Sequence, residues 1–373
     1  MVRTPNEIVT HLLSSAGIAI NGQQPWDIQV HDATFYKSVL HNGSLGLGES
    51  YMHQRWDCEC LDEFFAKVLR ANLDVKVKKS LSFQAEVLAA RVLNFQTSSL
   101  AYRNGSAHYD IGNDLFEAML DKRMTYTCGF WEKAHTLDEA QEYKLELSCR
   151  KLQLQPGMHV LDIGCGWGSF ARYAAEHYGV KVTGITISKE QAELAAARCK
   201  GLPVEIRLTD YRAVRESFDA IVSLGMFEHV GYKNYGTYLQ MVHRCLKDDG
   251  LFLLHSIGGN TANPFTDRWL NKYIFPHAMI PTIRLIGQFI EGLFVMEHWQ
   301  NFSVNYDRTL MAWYDNVVQH WDQLKSRYDT TFFRMWKYYL LSCAGSFRAR
   351  KSQLWQIVLS KNGVPGGYRF DQP

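Results

Sequence analysis

V-L-D-I-G-C-G-W-G, residues 160 to 168, is an apolar, β-capable run that ends abruptly in three glycines spaced two apart. Met158 to Ile163 reads as a buried parallel strand, and Ser169 to Tyr178 as the helix that follows it. Gly164, Gly166 and Gly168 therefore occupy a strand-to-helix turn. Missing side chains let a ligand approach the main chain there, and the helix N-terminus supplies free N–H donors. The spacing G-x-G-x-G differs from the dinucleotide fingerprint G-x-G-x-x-G, and Asp162 precedes the first glycine, inside the strand end. The turn predicts a nucleotide-like cofactor site, with Val160, Asp162 and Cys165 grouped with the glycines as its candidates.

Downstream the rhythm is regular. Strands are expected over Lys181 to Ile187, Val204 to Leu208, Phe218 to Leu224 and Gly250 to Ile257, with helices over Ser188 to Lys200 and Lys233 to Leu246. Strands alternating with helices of this length predict an α/β fold, a doubly wound parallel sheet. Ligands in such sheets bind at the carboxyl ends of the strands, which makes Gly164 to Gly168, Thr186 onward, Asp210 and Tyr211, Gly225 to His229 and His255 to Ile257 neighbours in space. Asn260 to Met296 interrupts the pattern with Pro264, Pro276 and Pro281 and reads as an apolar cover over the strand ends, suited to an oily substrate. Leu293 to Phe302 and Gln353 to Leu359 complete the sheet, with the aromatic helices between them expected to pack on it.

Upstream, Asn6 to Ala16 and Leu61 to Leu73 read as helices, Trp26 to Val30 as a strand and Gly43 to Gly48 as a glycine-rich loop without the lysine of a phosphate-binding loop. The expected division is a small N-terminal α+β domain over 1–80, a linker helix over 81–100 and a catalytic domain over 101–373. Leu81 to Phe95 is apolar around most of its circumference and must bury itself in a domain seam, a dimer interface or a lipid surface. Lys76, Lys78 and Lys79 precede it.

A chain of 373 residues with 46% hydrophobic content builds a substantial core and has room for two domains. Lys plus Arg (40) against Asp plus Glu (38) leaves a net charge of only +2, which excludes a general polyanion binder, so no nucleic-acid partner is expected. The eight cysteines are scattered, without zinc-type pairs, and no secretory signal precedes them, so the reading is a reduced, cytoplasmic protein with no metal site. No uncharged apolar run is long enough to span a bilayer.

The glycine turn resembles the first motif of the S-adenosylmethionine-dependent methyltransferases, and the resemblance extends across nearly the whole chain. H-Y-D-I-G-N-D-L-F (108 to 116), T-Y-T-C (125 to 128), the glycine turn itself, G-I-T-I-S-K-E-Q (184 to 191), M-F-E-H-V-G (226 to 231), L-L-H-S-I-G (253 to 258), N-K-Y-I-F-P (271 to 276), Y-D-R-T-L-M-A-W (306 to 313) and F-R-A-R-x-x-Q-L-W-Q (347 to 356) follow in order. Together they resemble the cyclopropane-fatty-acyl-phospholipid synthases and, in the catalytic half, the mycolic acid cyclopropane synthases.

The resemblance implies a Rossmann-like methyltransferase fold and transfer of a methylene unit from S-adenosylmethionine to the cis double bond of unsaturated acyl chains in phospholipids. A carbocation forms on the way, and bound bicarbonate serves as base. It further implies that Cys128 and Ile257 offer backbone N–H groups to that anion, while Glu228, His255 and Tyr306 contact it through side chains. Of Glu228 and bicarbonate, one must carry a proton for the two to sit together. Tyr126 and Thr127 reach the methionine end of the cofactor, and Tyr211 and Arg212 lie near the adenine. The acid that most methyltransferases carry after the second strand is replaced by Thr186 and Gln191. Cys343, also in a matching segment, is a nucleophile candidate, although methyl transfer to carbon needs no thiolate and packing is the favoured role.

The implied partners are a phospholipid bilayer surface on the inner face of the cytoplasmic membrane and a second copy of the chain in a homodimer. Alone, His255 would be a structural histidine and Glu228 a helix-capping acid; joint placement at adjacent strand ends reverses that. Two other readings are an N-methyltransferase of an amphiphilic amine and a lipid-binding module that has lost its chemistry. The basic run yields a direct expectation: replacing Lys76, Lys78 and Lys79 with glutamine weakens binding to anionic vesicles by about 1 to 3 kcal/mol at low salt. Co-sedimentation at two salt concentrations checks it, because screening should shrink the difference.

Overall fold

The computed structural model describes residues 4–73, 111–261 and 267–372. The basic run 76–79, the expected helix 81–95 and linker 81–100, and residues 108–110 of the first matching segment lie outside the described residues. Two compact units divide the rest: residues 4–73, 267–276 and 306–352 form one, and residues 111–261, 277–305 and 353–372 the other.

The second unit carries the sheet. Its strands are β3 (His159–Ile163), β4 (Lys181–Thr186), β5 (Val204–Leu208), β6 (Phe218–Leu224), β7 (Leu246–Gly259), β8 (Val295–Asn301) and β9 (Ser352–Ser360), following the short β1 and β2 of the other unit. They lie in the order β5-β4-β3-β6-β7-β9-β8. β3 to β7 pair in parallel, and β8 runs antiparallel to β9. This is the α/β, doubly wound, Rossmann-like arrangement expected. The progression reverses between β3 and β6, and that reversal opens a crevice at the strands' carboxyl ends.

Alternation along each strand splits the core between the two faces. Leu161, Ile163, Ile221 and Phe252 belong to one apolar cluster, and Val160, Val222 and Leu253 to the other. Within the proline-interrupted stretch, helices form at Arg268–Tyr273 in the first unit and at Ile283–Ile290 in the second. Asp267 and Thr282 cap them by accepting from backbone N–H groups of the first turn, which starts each helix clear of the prolines.

In the first unit β1 (Ile28–Val30) pairs antiparallel with β2 (Trp56–Cys58), amid helices Pro5–Ser14, Thr34–Asn42, Ser44–Met52 and Leu61–Arg70. Trp56 is fully buried, its ring 5.1 Å from Tyr51 and 5.3 Å from Phe64. Two sequence expectations change here. The aromatic helix Thr330–Arg348 belongs to this unit and not to the one that carries the sheet: Tyr338 packs 5.6 Å from Tyr51, 5.1 Å from Phe65 and 4.4 Å from Trp269. Gly43 to Gly48 is not a loop, because Ser44–Met52 is helical.

The glycines of that helix serve close packing. A Cβ on Gly46 would stand 2.1 Å from the Ser38 carbonyl oxygen, and one on Gly48 2.3 Å from the Trp269 ring. Gly46→Ala should therefore destabilise the protein by about 1 to 3 kcal/mol in denaturant unfolding. Gly287→Ala, in a helix with open space around the new methyl, should stabilise it by up to about 1 kcal/mol.

Candidate functional site

Each glycine of the turn after β3 answers a different need. All three have positive φ, 80° at Gly164, 54° at Gly166 and 81° at Gly168. A Cβ on Gly164 would meet Met226 at 2.7 Å, so the turns after β3 and β6 close on one another here. One on Gly168 would stand 3.1 Å from the Cys199 sulfur, where the following helix packs. On Gly166 it would meet nothing within 4 Å, which leaves the middle of the turn open to a ligand. Asp162 sits beneath, buried, with Oδ2 lacking any hydrogen-bond partner. Burial pushes its carboxyl up to about 7, against the opposing pull of Lys144. Cys165 is buried beside Gly184, and Val160 stands at the strand's second residue in the core, a packing position.

Lys144 belongs to a feature that sequence reading passed over. The helix Leu137–Lys151, opened by a Thr136/Glu139 capping box, turns Gln141, Lys144, Ser148 and Lys151 inward, all fully buried. Their spacing of three and four residues is a helical stripe, and that periodicity was the available signal. Gln141 Nε2 donates to the Thr127 carbonyl (2.7 Å), and Lys144 Nζ donates to Thr127 Oγ1 (2.9 Å). Burial pushes the Lys144 ammonium down to about 8, opposed by Asp121, Cys128 and Asp162. Thr127 is thereby fixed against the end of β6, where a Cβ on Gly225 would come within 2.7 Å of its methyl. Tyr126 and Cys128 flank it, the Tyr126 ring edge-on to Phe116 at 5.1 Å.

At the end of β4, Thr186 Oγ1 donates to Gln191 Oε1 (2.9 Å) and accepts from the Ser188 N–H (3.2 Å), both side chains buried. A preformed polar pair thus stands where an acid was missed. Arg212 is held by Asp210, its Nη1 donating to Oδ2 at 2.8 Å, and lies 4.7 Å from the Tyr211 ring centroid. Tyr211 is buried in the core, 5.2 Å from the Tyr238 ring.

Glu228 and His255 come together with Ile257 as adjacent strand ends require. Leu224 of β6 is in register with His255 of β7, and Glu228 Oε1 accepts from the Ile257 N–H at 2.7 Å. The Ile257 N–H, expected to face an anion, is thus engaged by the Glu228 carboxyl. Glu228 Oε2 and His255 Nε2 are buried without partners. Burial pushes Glu228 up to about 7 despite the Ile257 N–H, and pushes His255 well down, so both are neutral in mildly acidic solution. Cys128 is buried, with Sγ donating to the Gly129 carbonyl.

Tyr306 and Cys343 belong to the other unit. Tyr306 packs on Phe347 at 4.6 Å. Burial pushes the Cys343 thiol up to about 12, so it stays protonated and suits packing better than nucleophilic attack.

Solved structures share this fold. The cyclopropane synthase MmaA2 from Mycobacterium tuberculosis is 33% identical, with a TM-score of 0.66 over 70% of this chain and 98% of its own. The mycolic acid cyclopropane synthase CmaA1, complexed with SAH and CTAB, is 32% identical with a TM-score of 0.65 over 70% of this chain and 98% of its own. The fold and the glycine turn define a methyltransferase of the S-adenosylmethionine-dependent class. Residues 96–357 match the family model of mycolic acid cyclopropane synthetase, and the chain belongs to that family. The cyclopropane-fatty-acyl-phospholipid synthase of Escherichia coli K12 is 52% identical over 97% of this chain and 94% of its own length. A probable fatty acid methyltransferase of Pseudomonas putida is 36% identical over 70% of each.

The raised acid at Glu228 sets a pH signature. Its carboxyl moves from 4.5 unfolded to about 7 folded, so the protonated form favours the folded state at low pH, and that advantage is lost as pH rises through about 7. Glu228→Gln keeps an acceptor for the Ile257 N–H and does not titrate. The stability of this variant relative to the parent should therefore rise between pH 5 and pH 8, read as the difference in Tm.

Proposed function

We propose that the chain transfers a methylene unit from S-adenosylmethionine to the cis double bond of unsaturated acyl chains in membrane phospholipids, forming cyclopropane fatty acids with bound bicarbonate as base. The observation that carries this reading is the 52% identity, spread over 97% of the chain, to the cyclopropane-fatty-acyl-phospholipid synthase of Escherichia coli K12. The site supports it in two ways. The open side of Gly166 above the unpartnered Asp162 Oδ2 fits a cofactor, and the unpartnered Glu228 Oε2 and His255 Nε2 fit a small anion.

S-Adenosylmethionine supplies an electrophilic methyl group. Gly164, Gly166 and Gly168 with Asp162 would hold it along the turn, Thr186 and Gln191 at the ribose, Tyr211 and Arg212 at the adenine, and Tyr126 and Thr127 at the methionine end. An alkene carbon attacks the methyl, the C–S bond breaks, and positive charge passes to the neighbouring carbon. Loss of a proton from the added methyl then closes the ring. Bicarbonate, when bound, supplies the base for that proton. Glu228, protonated below about 7, has its free oxygen available to donate toward the anion, and His255 faces it as a neutral ring. Cys128 would complete the anion's contacts, the Ile257 N–H being held by Glu228. A dry site serves this chemistry, because water would capture the cation.

The enzyme works as a homodimer, peripheral on the inner face of the cytoplasmic membrane. Among the described residues no helix is long and apolar enough to cross a bilayer. The helix Ile283–Ile290 buries Ile286 and Ile290 while leaving Ile283 60% exposed, an apolar tip suited to a lipid surface.

The test is incubation with S-adenosylmethionine and unsaturated phospholipid vesicles, followed by mass analysis of acyl chains and head groups. A gain of one CH2 on the acyl chain supports the reading; a gain on the head group overturns it in favour of N-methylation. Glu228→Gln should lower turnover by about 100-fold or more with cofactor affinity kept. Gly166→Val should abolish cofactor binding, since a branched side chain fills the open side of the turn.

A further inference from the structure

Ser148, Gln356 and His255 form a chain of fully buried polar side chains running from the helix Leu137–Lys151 through β9 to the end of β7. Its first member can be read unambiguously, because a carbonyl oxygen only accepts. Ser148 Oγ lies 2.8 Å from the Lys144 carbonyl, so the single hydroxyl hydrogen is donated there. Ser148 Oγ is then an acceptor toward Gln356, 3.2 Å away, and the Gln356 atom facing it must be the NH2 group. That same Nε2 lies 3.3 Å from His255 Nδ1 and directs its second hydrogen at it. A ring nitrogen that accepts carries no proton. Burial, reinforced by the charges of Lys144 and Lys151, keeps the imidazole from taking a second one.

We propose that Gln356 and Ser148 are positioning residues that hold His255 in the tautomer protonated on Nε2, so that the ring presents an N–H donor into the strand-end crevice. Nε2 is the nitrogen left buried without a partner. In the opposite tautomer Nε2 would offer a lone pair to the crevice, and an anion there would be repelled. The chain of bonds therefore decides whether the crevice attracts or rejects a negative charge. That the anion is the base of the reaction rests on the function proposed above; the tautomer does not.

The experiment uses the full chain labelled with 15N-histidine, without added ligands, and long-range 1H–15N spectra that distinguish the two ring nitrogens. The His255 signals are identified by their loss in His255→Gln. The expected result is a neutral ring protonated on Nε2. Gln356→Glu replaces the donor facing Nδ1 with an acceptor, so it should move the proton to Nδ1 or add one there. It should also lower turnover by roughly 10- to 100-fold while leaving S-adenosylmethionine affinity unchanged. Ser148→Ala, a small change that spares folding, frees the amide to turn over and should produce a visible population of the Nδ1–H form.

A parent ring protonated on Nδ1 overturns the inference, as does a Gln356→Glu ring that keeps the parent tautomer. A moved proton with parental turnover overturns the positioning role. The spectra do not depend on activity, so a parent enzyme that forms no cyclopropane product counts against the proposed function while the tautomer is decided on its own.

Discussion

The hydrogen bond from the Ile257 N–H to Glu228 Oε1, at 2.7 Å, ties the turn after β6 to the end of β7 and sets the character of the crevice. A carboxyl drawn into a buried strand end is a costly group, and one backbone N–H does not offset its burial, so it shifts toward the neutral form. Its second oxygen, like His255 Nε2, is left buried without a partner. Asp162, beneath the glycine turn, repeats the pattern with Lys144 as the opposing charge. The switch point of the sheet thus holds two acids whose carboxyls burial pushes up to about 7. Such groups persist in folded proteins where binding or catalysis uses them.

The parallel sheet was largely legible in the sequence. Phe218–Leu224, central in the sheet, is apolar apart from Asp219 and Ser223, whereas the edge strand Val204–Leu208 alternates apolar residues with Glu205 and Arg207; both patterns read as strand. The glycine turn was legible because three glycines at that spacing have few other uses. The strand-end rule brought Gly225 to His229 and His255 to Ile257 together, while resemblance to a known family singled out Glu228 and His255 among them, since a single acid or histidine carries no address of its own.

What the sequence leaves hidden lies in tertiary contact. The stripe of Gln141, Lys144 and Ser148 looks like an ordinary solvated helix face, and only the fold reveals that it is inside. Gly46 and Gly48 resemble a flexible loop because their reason, the approach of Ser38 and Trp269, comes from distant stretches of chain. The aromatic helix Thr330–Arg348 was assigned to the nearest sheet in sequence, while its partners Tyr51 and Phe65 stand hundreds of residues earlier. Local pattern specifies an element's type; the face against which it buries itself is a long-range property.

The central claim is that the ends of β6 and β7 hold an anion that acts as the base, distinct from the cofactor's place on the turn after β3. Turnover measured in buffer stripped of carbon dioxide and bicarbonate, and again after bicarbonate is restored, tests it most directly. The account predicts that the rate falls on depletion and recovers on restoration, with S-adenosylmethionine affinity unchanged throughout. Equal rates in the two buffers would contradict it.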